Sequence, residues 1–199
     1  MTNQQINQKI QIIINQFKAQ NFDIVISKGK SLLKSNPEYI ILYNLVGSSY
    51  QNQGEYLKAI KIFKEGLRLD FNNLALMNNL AMAYKNDLQY KLAEELYNKI
   101  IKENQNYINA YVNLGNLKRD LNKFNEAIDL YEKALSKDKS NKIILYSLSL
   151  AHQGIGNFDK AISYSKEVLI SDENFTRADH LISQSKKYNT KDEHYLSLK

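Results

Sequence analysis

Cysteine is absent from this 199-residue chain, which excludes a disulfide framework and any thiolate metal site. Proline occurs once, at Pro37, and glycine seven times, so helices can run with few interruptions. Long hydrophobic runs are missing too. Stretches such as Ile12–Ile14 and Leu74–Met77 fall far short of the roughly 20 apolar residues that span a bilayer. The opening MTNQQINQKIQIIINQ has no basic start, apolar stretch or small-residue cleavage site, so it does not read as a secretory signal. These absences predict a chain that does not insert into membranes and resides in the cytoplasm.

The marks of catalysis are also thin. His152, His180 and His194 lie 28 and 14 residues apart, without the local spacing of metal ligands. Gly154-Ile155-Gly156 lies in a helix turn and lacks the preceding strand that a dinucleotide site requires. Acids such as Glu94-Glu95 are spread over solvated faces. The expectation is a protein that is not an enzyme, with no cofactor, no metal and no catalytic residue. Basic residues outnumber acidic ones, 27 to 21, for a formal charge of +6. Alone, that excess raises nucleic acid or another anionic partner. Lys, Asn, Ile and Tyr are abundant together, however, which is the imprint of an AT-rich coding sequence.

What the chain does have is a period. Ala59, Ala93, Ala127 and Ala161 lie 34 residues apart. Three residues before each stands an aromatic, Tyr56, Tyr90, Phe124 or Phe158. An earlier column runs Val46, Leu80, Leu114 and Leu148, each followed by a small residue: Gly47, Ala81, Gly115 and Ser149. Another column holds Tyr43, Met77, Tyr111 and Leu145. Four residues after each anchor alanine come Phe63, Tyr97, Tyr131 and then Ser165, the one break in that column. Small residues allow two antiparallel helices to approach, and large residues three and four positions away build the apolar stripe.

YVNLGNLKRDLNKFNEAIDLYEKAL (Tyr111 to Leu135) and YNLVGSSYQNQGEYLKAIKIFKEGL (Tyr43 to Leu67) resemble the tetratricopeptide family, a 34-residue helix–turn–helix repeat. The resemblance covers about residues 6–175. It implies an all-α, right-handed α-solenoid in one domain. Five repeats fall near 6–39, 40–73, 74–107, 108–141 and 142–175, followed by a capping helix at 176–188 and a loose polar tail at 189–199. The first repeat is degenerate, with Ile12-Ile13 in place of Leu-Gly and Val25 in place of alanine. Ser35-Asn36-Pro37-Glu38 reads as a helix cap with proline at the first helical position. Asn72, Asn106, Asn141 and Asn174 recur at or near the later junctions.

The family resemblance also implies a function: a scaffold or adaptor that holds a protein or peptide in a concave groove lined by the first helix of each hairpin. Its lining positions correspond to Ile41, Asn44, Ser48 and Gln51 in the second repeat and to Ala75, Asn78, Met82 and Lys85 in the third. The fourth supplies Asn109, Val112, Asn116 and Arg119, and the fifth Ile143, Tyr146, Leu150 and Gln153. Asn79 and Asn113 occupy the place where relatives with an asparagine ladder grip a peptide backbone. A side-chain amide both donates and accepts, so it can pair with main chain without reading sequence. The expected contacts are Asn44, Asn78, Asn79, Asn109, Asn113, Asn116 and Tyr146.

Relatives that bind chaperone C-termini use a carboxylate clamp of lysines, an arginine and asparagines. The corresponding positions here are Ile10, Ile14, Leu45, Asn78 and Met82 or, one repeat on, Asn44, Ser48, Asn79, Val112 and Asn116. Neither set has the basic residues, which argues against that role. The predicted groove is mostly neutral, which argues against nucleic acid. The segment TRADHLISQSKKYNTKDEHYLSL (Thr176 to Leu198) resembles the junction after repeat arrays in certain bacterial proteins that bear a C-terminal sulfotransferase. That likeness implies an alternative: a docking module of a larger transferase, with no catalytic residue in these 199 positions.

Overall fold

The computed structural model describes residues 2–188, and all regular structure among them is α-helical. Eleven helices follow one another in this described part: α1 (Asn3–Lys18), α2 (Phe22–Ser35), α3 (Ile40–Asn52), α4 (Tyr56–Leu69), α5 (Leu74–Asn86), α6 (Tyr90–Glu103), α7 (Ile108–Asp120), α8 (Phe124–Leu135), α9 (Lys142–Gly154), α10 (Phe158–Ser171) and α11 (Thr176–Tyr188). The chain divides into two compact units, Met1–Ile100 and Ile101–Lys199. The predicted tail 189–199, with His194 and the end of the junction-like segment, lies outside the described residues.

The periodicity has a direct counterpart in burial. Second helices of the hairpins bury a single stripe, as α8 does with Ala127, Ile128, Tyr131 and Ala134. First helices bury more of their circumference, as α5 does with Leu76, Met77, Asn78, Leu80, Ala81, Ala83 and Tyr84. A helix packed on two sides needs apolar residues over a wider arc than one packed on a single side. The four anchor alanines are all fully buried. Close approach is visible at the glycines that precede them. A Cβ on Gly47 would stand 2.4 Å from the Phe63 ring, and one on Gly115 would stand 2.5 Å from the Tyr131 ring. In the first unit, Ile6, Ile10, Ile13, Val25, Leu32 and Leu42 form one core cluster. In the second, Tyr111, Ala127, Tyr131, Ile144, Leu148 and Ala151 belong to another, and Leu145, Val168 and Ala178 tie α11 to the end.

The turns inside the hairpins repeat with the same period. Gln20, Gly54, Leu88, Asn122 and Gly156 each adopt a left-handed conformation, with φ between 59° and 77°. Beyond each of the last four, an amide donates five residues back: Glu55 to Tyr50, Gln89 to Tyr84, Lys123 to Lys118 and Asn157 to His152, at 2.8–2.9 Å. This is the helix-ending arrangement that favours glycine at the left-handed position. Leu88 adopts it at a steric cost on the order of 1–2 kcal/mol.

Caps at the junctions differ in part from expectation. Asn73 and Asn141 close the starts of α5 and α9 by accepting from Leu76 N at 3.0 Å and from Ile143 N at 3.1 Å. The side chain that caps α5 is thus Asn73, beside Asn72 at the junction. Ser35-Asn36-Pro37-Glu38 ends a helix instead of starting one: Pro37 lies in the turn, and α3 begins only at Ile40. The reason is the buried Asn36, whose Nδ2 donates to Leu32 O at 3.1 Å and to Ser35 Oγ at 2.8 Å. Those bonds close the last turn of α2.

Candidate functional site

The first helices of the hairpins carry the predicted contacts, and the two units treat them differently. In the first unit α3 packs against α5, and Asn79 Nδ2 donates to Asn44 Oδ1 across them at 3.0 Å. One amide hydrogen-bonds the other through one atom each. The Asn44 NH2 and the Asn79 carbonyl remain, a donor beside an acceptor; exchanging O and N on both side chains leaves the same combination. Both residues are half-buried, while Ile41 nearby in the register is 43% exposed. Asn78, also expected at the surface, is buried at 7% exposure and is engaged within the protein. Ser48, Met82 and Lys85 are half-buried. The Gln51 side chain has its Oε1 buried without a partner in the described structure.

In the second unit Asn116 is tied back into its own hairpin, because Tyr131 donates its hydroxyl to Asn116 Oδ1 at 2.7 Å. Burial pushes the Tyr131 phenol up to about 12, so it remains a donor at neutral pH. Asn109 is exposed and hydrogen-bonds the side chain of Tyr107, whose phenol is raised chiefly by burial. Asn113 is half-buried and already engaged. The Tyr146 ring meets Phe175 edge-on, with centroids 5.2 Å apart, so the segment leading into α11 covers part of it. The structure therefore brings Asn44 and Asn79 together, sinks Asn78, and occupies one atom of Asn116.

One column lies outside the expected contacts. It holds Tyr50, Tyr84, Lys118 and His152, all buried. Lys30 donates to the Tyr50 hydroxyl at 3.4 Å, and Lys64 lies over the Tyr84 ring at 5.4 Å. Lys118 pairs with Glu126 at 2.7 Å; the hydrogen bond from Lys118 holds that carboxyl below the usual range. His152 stacks on Tyr164 at 5.6 Å, with both ring nitrogens buried and unpartnered in the described structure. Burial, with Lys160 adding to it and Glu132 opposing, lowers its pKa. His152 falls at the tyrosine position, which the sequence shows, but the stacking that seals it could be seen only in three dimensions.

Among the described residues no group of three or more His, Cys, Asp or Glu could hold a metal ion, and no helix is long and apolar enough to cross a membrane. A cleft of about 490 Å3 between α1 and α2 is lined by Lys9, Ile12, Lys28 and Ser31 among others. Two of these residues, Lys9 and Lys28, stand where the next hairpin has Tyr43 and Ile62. The cleft thus mixes charged and hydroxyl side chains with the apolar Ile12, Ile13 and Leu32.

Residues 108–141 match a family model described as tetratricopeptide repeat, and residues 40–73 match a second model of the same description. No curated protein sequence matches significantly. Among solved structures, a MamA crystal structure is 26% identical over 83% of this chain and 97% of its own, with a TM-score of 0.67. A tetratricopeptide repeat protein from Parabacteroides merdae is 15% identical over 98% of this chain and 77% of its own, with a TM-score of 0.75. YrrB, described as a TPR protein with an unusual peptide-binding site, is 17% identical over 86% of this chain and 89% of its own, with a TM-score of 0.62. The last two likenesses are of fold alone.

Proposed function

We propose that this tetratricopeptide-repeat protein is a protein–protein interaction module whose first helices hold an extended peptide through its main chain. The Asn44–Asn79 pair carries the reading. A peptide unit offers one N–H and one C=O, and the pair has one acceptor and one donor left, held together by the 3.0 Å bond between the two side chains. Such a pair is preorganised, so little side-chain freedom is lost on binding. The exposed Ile41 beside it adds apolar contact. In the second unit, Asn109, Val112 and the exposed Ile143 offer a similar mixture of amide and apolar surface. A neutral amide surface selects for shape and main chain rather than for charge. Catalysis is left to whatever the module gathers.

The test is capture from the source cell's lysate by residues 1–199, followed by mapping the captured protein to a short peptide. The Asn44→Ala/Asn79→Ala variant is expected to lose that peptide by about tenfold or more, since each buried hydrogen bond contributes roughly 0.5–1.5 kcal/mol. N-methylation of one central peptide bond should have a like effect, whereas most side-chain swaps in the peptide should be tolerated. Equal binding by wild type and variant would sink the reading.

A further inference from the structure

Tyr97 is fully buried, yet its hydroxyl has no hydrogen-bond partner in the described structure. Its sister one repeat later shows what such a hydroxyl normally does. Tyr131 donates to Asn116, fifteen residues earlier on the first helix of its hairpin, at 2.7 Å. Fifteen residues before Tyr97 stands Met82, whose thioether is a poor acceptor. The hydroxyl is not there for packing, because Phe63 fills the same place one repeat earlier with no hydroxyl and is also fully buried. Burial pushes the Tyr97 phenol well above its ordinary value, so the group is a neutral donor at any physiological pH.

A buried donor without an acceptor destabilises the free protein, and such a group in a native structure calls for an explanation, of which a partner supplied from outside the chain is one. The register says where that place is. Met82 lies four residues after Asn78 and three after Asn79 on α5, which is one turn along the same face. It is half-buried, and methionine is the apolar side chain that moves aside most readily.

We infer that the Tyr97 hydroxyl is a latent contact for the bound peptide: a peptide carbonyl held beside Asn79 displaces Met82 and accepts a hydrogen bond from the Tyr97 hydroxyl. This rests on the peptide-binding reading above and adds to it a specificity-determining residue that no surface inspection would find. The partner it selects is a segment whose main chain approaches α5 closely, with a small residue where it passes Met82.

A stability–affinity pair of measurements tests the idea. The probe is a peptide selected from a random phage-displayed library against residues 1–199. Tyr97→Phe is expected to raise Tm by about 2–4 °C and to weaken the selected peptide by about fivefold to tenfold. Tyr131→Phe, which breaks a satisfied bond, should lower Tm. A merely structural hydroxyl cannot raise affinity while lowering stability. If Tyr97→Phe binds as well as wild type while Asn44→Ala/Asn79→Ala does not, the inference falls and the peptide-binding reading stands. If neither variant changes binding, both fall.

Discussion

Hairpins α7–α8 and α9–α10, both in the second unit, close the same helix crossing by opposite chemistry. In the first, Gly115 leaves room for the Tyr131 ring, whose Cε1 would be 2.5 Å from any added Cβ. In the second, the glycine is Ser149 and the ring is Ser165, and both are fully buried. Ser149 donates to Ala161 O at 2.6 Å, which leaves Ser165 to donate its own proton to Ser149 Oγ, also at 2.6 Å. One hairpin is fastened by a ring on a glycine and the other by two hydroxyls on a carbonyl. The aromatic has not vanished. Leu130-Tyr131 has become Tyr164-Ser165, which rotates the ring about 100° around the helix and sets it on His152 at 5.6 Å. A buried hydroxyl is tolerable where a ring would be only because each one finds a partner. The lesson is that a break in a repeat column is compensated at two sites, one on the facing helix and one on its own.

Three experiments sharpen that contrast, beginning with the largest effect. Gly115→Ser imports one half of the serine solution into the hairpin that keeps its tyrosine. Its Cβ falls inside the contact distance of the Tyr131 ring, so chemical denaturation should show a loss of about 1–3 kcal/mol. A ring that simply swung aside at no cost would contradict the close crossing.

Ser149→Ala is the milder test. It removes the bond to Ala161 O and the acceptor for Ser165, leaving a buried hydroxyl to find a new partner. The expected loss is about 1–2 kcal/mol, read from the same denaturation curves. Ser149→Ala combined with Ser165→Ala should cost less than the sum of the two single changes, because they share one network. Additivity would show that the two hydroxyls act independently.

The smallest effect is a pH dependence confined to the α9–α10 hairpin. His152 has its pKa lowered by burial, so its contribution to stability is complete above the unfolded value near 6.5. That contribution declines as pH falls below 6.5, because the unfolded chain takes up the proton first. Tm measured from pH 8 to pH 5 should fall more for wild type than for His152→Phe. Parallel curves would mean that the imidazole is not sealed as the stacking on Tyr164 implies.

Much of this was legible in the chain itself, and the exceptions have physical causes. The 34-residue columns of Ala59, Ala93, Ala127 and Ala161 marked core positions, and every one of these alanines is fully buried. Ser165 was visible as an isolated break. Its compensation by Ser149 and Tyr164 was not, because neither position is unusual until the two helices are laid together. The cap at Ser35-Asn36-Pro37 was misread for a similar reason: its residue types suit both ends of a helix, and only the bonds of Asn36 to Leu32 and Ser35 show which end it closes. Of the asparagines expected to contact a peptide, Asn78 and Asn79 are chain neighbours with different surroundings, one buried and one half-buried.

The sequence by itself determined the helical class, the period and the hairpin pairing. Apolar spacing along a helix dictates which face must be covered, and that information is local. The tertiary structure alone decided what each polar side chain does. Asn44 meets Asn79, Asn116 meets Tyr131, and the Tyr97 hydroxyl finds no hydrogen-bond partner among the described residues. A hydrogen bond depends on a partner atom within about 3 Å, and that atom belongs to another helix whose distance along the chain no periodicity reports.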